Sequence, residues 1–166
     1  MSSPIAIPEI ELRPVTSDDI AEILIHRRRM FEDMGYREPA VLNCIVHSSR
    51  PNLEHFVREG SYVGWFAVTR DQRVAAGAGL LISRWLAGPL DPSNANRAYL
   101  WNVYTYPEFR RRGLARLLTQ KAIEYCREQG ERVLWLHASE YGRPVYKALG
   151  FQQTNEMKLV ITEKPG

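Results

Sequence analysis

Residues 99–116 read YLWNVYTYPEFRRRGLAR, and the rest of the chain arranges itself around this stretch. Tyr99 to Thr105 is rich in aromatic and β-branched side chains, the composition of a strand. Pro107 has no N–H to donate and ends the ladder. From Gly113 onward, Leu114, Leu117 and Leu118 recur at helical spacing. Strand, turn and helix in that order leave a glycine-containing loop at a helix N-terminus. Its free amides and the positive end of the helix dipole suit a phosphate or pyrophosphate. Gly113 lets a ligand come close to the backbone, and Arg110, Arg111 and Arg112 add positive charge there.

The whole chain sets broad limits. Its 166 residues suit one domain, residues 1–166, with a core at about 9–162. At 45% hydrophobic and 25% charged residues it has the balance of an ordinary soluble globular protein. A formal net charge of +3 is compatible with an anionic ligand but too small to argue for nucleic acid. Cys44 and Cys126 are the only cysteines, which leaves no disulfide framework and no four-cysteine zinc site and points to a reducing compartment. His26, His47 and His55 lack metal-ligand spacing, so no metal is expected. The opening MSSPIAIPEI has no basic segment followed by an apolar run, and the apolar stretch Val74 to Ile82 is too short to span a bilayer. A cytoplasmic location is therefore expected.

The remaining elements follow from periodicity and punctuation. Glu9 to Pro14 alternates as a first strand. Thr16 or Ser17 caps a helix whose apolar stripe runs Ile20, Ile23, Leu24, Met30, Phe31, Met34, with Gly35 ending it. His26 to Arg29 falls within this helix and reads as a solvated face, the lesser reading being a phosphate or substrate contact. Pro39 to Gly60 reads as two short helices. Met30, Phe31, Met34 and Tyr36 read as core, with an acceptor pocket as the alternative. Tyr62 to Thr69 and Val74 to Ser83 form a hairpin turning at Asp71 and Gln72, and Ala75 to Gly79 is small enough for a close neighbour. Trp85 to Asn96 is a surface loop. The helix after Gly113 runs to about Gln129. Arg132 to Ala138 is a short strand, Pro144 opens another helix, and Gly150 closes it. Met157 to Thr162 reads as a last strand and Glu163 to Gly166 as a frayed tail. The result is a mixed α/β (α+β) fold with a largely antiparallel central sheet flanked by helices.

Arg110-x-x-Gly113-x-Ala115 resembles the Arg/Gln-x-x-Gly-x-Gly/Ala signature of the GNAT superfamily of acyl-CoA-dependent N-acetyltransferases. Leu136 to Phe151, LHASEYGRPVYKALGF, is similar to the family's C-terminal motif, with Tyr146 five residues before Phe151. The order of elements over about residues 9–162 matches as well. The resemblance implies acetyl-CoA as co-substrate, its pantetheine arm lying between the strands around Val103 and Leu136. It also implies that backbone groups of Val103 and Thr105, with Tyr104 between them, line that arm. Amides from Arg111 through Leu114 to Ala115 would hold the pyrophosphate. Tyr146 would sit near the sulfur, where its hydroxyl can serve as the catalytic acid, the alternative being a tyrosine that packs its ring in the core. Many relatives carry an Asn near position 140. Here Ser139 and Glu140 stand there, and Ser139 is either a substitute cofactor contact or a plain helix cap.

The activity so implied is transfer of an acetyl group to a primary amine of a small molecule or peptide by direct attack in a ternary complex. A catalytically silent acyl-CoA-binding module and, last, a nucleic-acid-binding protein are the competing readings. No general base is legible: His137 and Glu108 have bland alternatives in the core and in solvent, and water can take the amine proton. The stretch from Met30 to Arg58 and the Trp85–Asn96 loop are expected to shape the acceptor site. No membrane partner is indicated, and a homodimer is compatible with the sequence.

Overall fold

In the computed structural model of the protein, residues 9–161 are described. The expected leader-free start (residues 1–8), the end of the expected last strand (Thr162) and the expected tail (residues 163–166) lie outside them. Five strands form one sheet in chain order: β1 (Ile10–Pro14), β2 (Tyr62–Thr69), β3 (Val74–Arg84), β4 (Asn96–Thr105) and β5 (Leu134–Leu136). The first three pairings are antiparallel and only β4–β5 is parallel. Between them lie α1 (Ile20–Asp33), α2 (Pro39–Glu59), α3 (Leu114–Glu128) and α4 (Arg143–Ala148). The mixed, largely antiparallel architecture is the one expected. Among the described residues no helix is long and apolar enough to cross a membrane.

The sheet separates two apolar layers. On one face Leu114, Leu118, Ala122 and Cys126 of α3 pack with Tyr146 of α4 against Trp65, Ala67, Ala76 and Leu80. On the other, Ile20, Ile23 and Leu24 of α1 and Leu53 of α2 cover Tyr62, Phe66 and Val68. This explains why β2 and β3 read as nearly continuous apolar runs: both of their faces are covered.

Two expectations are corrected. Pro39–Glu59 is one 21-residue helix, with Pro51 inside it. Proline removes one backbone bond and normally costs about 3 kcal/mol. Here Leu42 and Leu53 stay buried on either side of Pro51, with Val46, Phe56 and Val57 packed on the same layer, and that burial carries the helix through. Met157 to Ile161 forms no strand; Met157, Leu159 and Ile161 are all exposed. The composition is strand-like, but among the described residues the segment makes no ladder with the sheet, and an unpaired strand has nothing to hold it.

The small residues of β3 admit neighbours from the α1 side. A Cβ on Gly77 would lie 2.8 Å from His26 Nδ1 and 2.7 Å from a Phe66 ring carbon, and one on Gly79 would lie 1.9 Å from Tyr62 Oη. Burial pushes the Tyr62 hydroxyl up to about 12, so it is a proton donor at any physiological pH.

Gly79→Ala should therefore displace Tyr62 and lower stability by about 1–3 kcal/mol in urea unfolding, whereas Gly60→Ala, with open space around it, should leave the β3 face intact. Because the folded-state pKa of Tyr62 lies above its unfolded value near 10, its contribution is complete below pH 10 and is lost as pH rises toward 12. Tyr62→Phe should flatten the alkaline fall in stability, by about 2–3 kcal/mol between pH 9 and 12.

Candidate functional site

The site begins where β4 and β5 part. Their ladder has three pairs, Ala98–Leu134, Tyr99–Trp135 and Leu100–Leu136. Beyond Leu100, the β5-facing edge of β4 has no strand partner as far as Thr105. On its other edge β4 pairs with β3 throughout, but Gly77 opposes Tyr104 while Gly79 opposes Trp101. Two steps on β3 thus face three on β4, a β-bulge, and Asn102 sits in it with φ 52°. Bulges bend a strand and re-aim its side chains. This one turns β4 away from β5 at the point where their pairing stops.

The free edge leads to the loop expected to hold a phosphate. Pro107–Phe109 makes a single 3-10 turn, and α3 then starts after Gly113, which has φ 78°. Arg111 also has a positive φ, 60°, a conformation that costs a non-glycine residue about 1–2 kcal/mol and concentrates at functional sites. Arg110 N–H binds the Pro107 carbonyl and Leu117 N–H binds that of Gly113. Between them, the amides from Arg111 through Arg116 have no acceptor among the described residues. No atom lies within 4 Å of the Cβ position of Gly113, so its approach is open.

The three arginines differ. Arg110 donates through Nε to the Thr105 carbonyl at 3.0 Å and is ion-paired with Asp33. Arg112 donates to the Glu108 carbonyl at 3.0 Å and lies over the Phe109 ring. Arg111 is exposed and has no ion pair among the described residues. Among the described residues Arg111 makes neither an ion pair nor a side-chain hydrogen bond and is left for an anion, while Arg110 and Arg112 are tied to the loop backbone.

On the far side of the cleft, Tyr146 is buried in the α3-side core, edge-on to Phe151. Its hydroxyl has no hydrogen-bond partner among the described residues, and burial pushes its pKa up to about 12. A cavity of about 340 Å³ beside it is lined by Leu136, His137, Ala138 and Arg143. Helix α4 has only six residues and the Tyr146 amide already binds the Gly142 carbonyl, so the helix dipole adds little. The Ser139 hydroxyl accepts from Gly142 N–H at 3.1 Å, closing the turn ahead of α4, whose N-cap is Gly142; its own proton remains free to donate. Val103 is half-buried and Tyr104 buried, with the Arg110 guanidinium 5.7 Å above the Tyr104 ring. His137 is exposed and bonded to the Tyr99 hydroxyl, so it does not face the core.

A third group was missed in the sequence. His26 and Arg27 are not a solvated face. His26 is 1% exposed, enclosed by Phe66, Tyr104 and Tyr106, with Nε2 at 3.2 Å from Glu22 but poorly aligned for a hydrogen bond. Tyr106 donates to the same carboxylate at 2.6 Å. Arg27 donates to Ser49 Oγ and to Asn102 Oδ1, each at 3.1 Å. The signal was present: positions 26 and 27 lie three residues after Ile23 and Leu24 and so share their buried face. Met34 and Tyr36, read as core, are exposed; Met30 and Phe31 are half-buried.

The acceptor-shaping segments also separate. Residues 45–56 of α2 line a second cavity, of about 360 Å³, against Leu24, Arg27, Tyr62, Trp101 and Asn102. The Trp85–Asn96 loop lies elsewhere, its Asn94 and Asn96 side chains held by Glu131 ahead of β5. Among the described residues no group of three or more His, Cys, Asp or Glu could hold a metal ion.

Known proteins share this arrangement. The model of the Acetyltransferase (GNAT) family matches residues 26–151. A GCN5-related N-acetyltransferase of Ralstonia eutropha superposes with a TM-score of 0.87 at 33% identity, over 92% of this chain and 99% of that one. A predicted acetyltransferase of Clostridium acetobutylicum, solved with acetyl-CoA, has the same fold at 24% identity (TM-score 0.81; 92% and 96% covered). An uncharacterised N-acetyltransferase of Methanocaldococcus jannaschii is 36% identical over 64 residues, 37% of this chain, and the match spans only 28% of that relative's length. With a family model spanning β2 to β5, the splayed strands and the arginine–glycine loop, the chain belongs to the GNAT family of N-acetyltransferases.

Proposed function

We propose that the protein transfers an acetyl group from acetyl-CoA to a primary amine by direct attack within a ternary complex. The observation that carries this reading is the run of unpaired amides from Arg111 to Arg116, at the end of a strand edge that β5 has left open. Those amides, with the Arg111 side chain, suit a pyrophosphate. The free β4 edge at Val103 and Thr105 suits the amides of a pantetheine arm, which would pair there as an added strand does. The Thr105 carbonyl already accepts from Arg110, so the Val103 groups carry more of that pairing.

The chemistry asks for a neutral amine, a polarised thioester and a proton for the departing sulfur. The amine nitrogen bonds to the carbonyl carbon, the carbon–sulfur bond breaks, and the sulfur takes the Tyr146 hydroxyl proton. Water takes the proton that the amine loses. A hydroxyl held near 12 stays fully protonated at neutral pH, and without a partner of its own it is free to donate. Tyrosinate left in that apolar setting regains its proton from solvent at once.

Two variants test the assignment. Gly113→Val forces a β-branched residue into positive φ and should weaken coenzyme A binding at least about tenfold in calorimetry, with an unchanged circular dichroism spectrum. Undiminished affinity would place the phosphates elsewhere. Tyr146→Phe should lower turnover at least about tenfold with little change in KM for acetyl-CoA. Equal turnover in that variant removes Tyr146 as the acid.

A further inference from the structure

Leu24, Phe56, Leu81 and Trp101 give the α1–α2 cavity apolar walls, and Arg27, Ser48, Ser49, Asn52, Tyr62 and Asn102 bring polar groups to it. Arg27 is the only charged residue in its lining, and among the described residues no carboxylate pairs with it. The guanidinium is held rather than mobile. Ser49 and Asn102 take one proton each from Nε and Nη1, and the guanidinium carbon lies 5.2 and 5.5 Å from the Phe31 and Trp101 ring centroids. Nη2 and the second proton of Nη1 are left over. Burial lowers the Arg27 pKa from its ordinary value, the mark of a cation short of counter-charge. In the same lining the buried Trp101 indole N–H has no partner, a second donor without an acceptor.

We propose that this cavity is the acceptor site and that it takes amines bearing a carboxylate and an apolar side group, of the amino-acid class, with the carboxylate on Arg27. This deepens the acetyltransferase reading and rests on it. The position fits: Asn102, which orients Arg27, is the bulge residue at which β4 leaves β5, so the cavity adjoins the cleft assigned to the acetyl donor. A single guanidinium matches a single negative charge, and of its three remaining N–H groups, one on Nη1 and two on Nη2, a pair can form the fork that a carboxylate fills. Polyamines and aminoglycosides need carboxylates around them, and none lines this cavity. The apolar lining accommodates a leucine- or phenylalanine-sized group.

Product binding separates this inference from the transfer reaction itself. N-acetyl-phenylalanine, N-acetyl-leucine and N-acetyl-methionine, and the C-terminal amide of each, are titrated by calorimetry into the protein saturated with coenzyme A. At least one acid should bind tenfold or more tighter than its amide, and Arg27→Gln should erase that difference while Arg27→Lys keeps part of it. The wild-type comparison stands even if a variant folds poorly. Acids and amides binding alike, no acid binding, or a preference that survives Arg27→Gln would overturn the proposal. Thiol release from acetyl-CoA with a panel of amines, spermidine included, reads the parent reaction separately. Release with spermidine alone sinks the carboxylate and keeps the enzyme, whereas no release with any amine sinks the enzyme reading.

Discussion

The structure depends on how far β4 and β5 can stay paired. Three ladder pairs hold them, and the bulge at Asn102 then bends β4 out of register with a straight neighbour. An edge strand with unmet N–H and C=O groups inside a protein is a cost unless something covers it. The α3-side core on one face and the α1–α2 layer on the other keep the opened edge in place. The bulge also carries Asn102 into position to bind Arg27, so one backbone irregularity serves both the cleft and the neighbouring cavity.

Charge is distributed by the same logic. The run Arg110–Arg112 looks uniform in one dimension, yet the fold gives each member different work. Arg110 ties the loop back to Thr105 and Asp33, Arg112 ties it to Glu108, and Arg111 is left outward in a strained conformation. Exposed ion pairs such as Arg110–Asp33 add little stability, about 0–1 kcal/mol at most. Their value here is in fixing the loop so that the amides from Arg111 to Arg116 stay turned outward.

Apolar periodicity was a good guide to where helices and strands lie and a poor guide to what interrupts them. Pro39 to Gly60 read as two short helices, but the buried Leu42 and Leu53 on either side of Pro51 hold one continuous helix. Met157 to Ile161 suggested a strand because its residues favour one, but a strand needs a ladder, and among the described residues the segment makes none with the sheet. His26 and Arg27 were read as solvated because charged types usually are. Their helical position put them on the buried side, where Gly77 leaves room for the imidazole and Asn102 meets the guanidinium.

By itself the sequence determined the local matters: a strand ended by Pro107, a helix begun after Gly113, the hairpin at Asp71–Gln72, and the family that this order of elements resembles. Each rests on chemistry within a few residues, where proline, glycine and apolar spacing act directly on the backbone. Only the tertiary structure decided which arginine is free, how Tyr146 is desolvated, and that Arg27 sits among apolar walls without a carboxylate. Those are properties of neighbours that are distant in the chain, such as Asn102 beside Arg27 and Phe151 beside Tyr146, and packing alone brings them together.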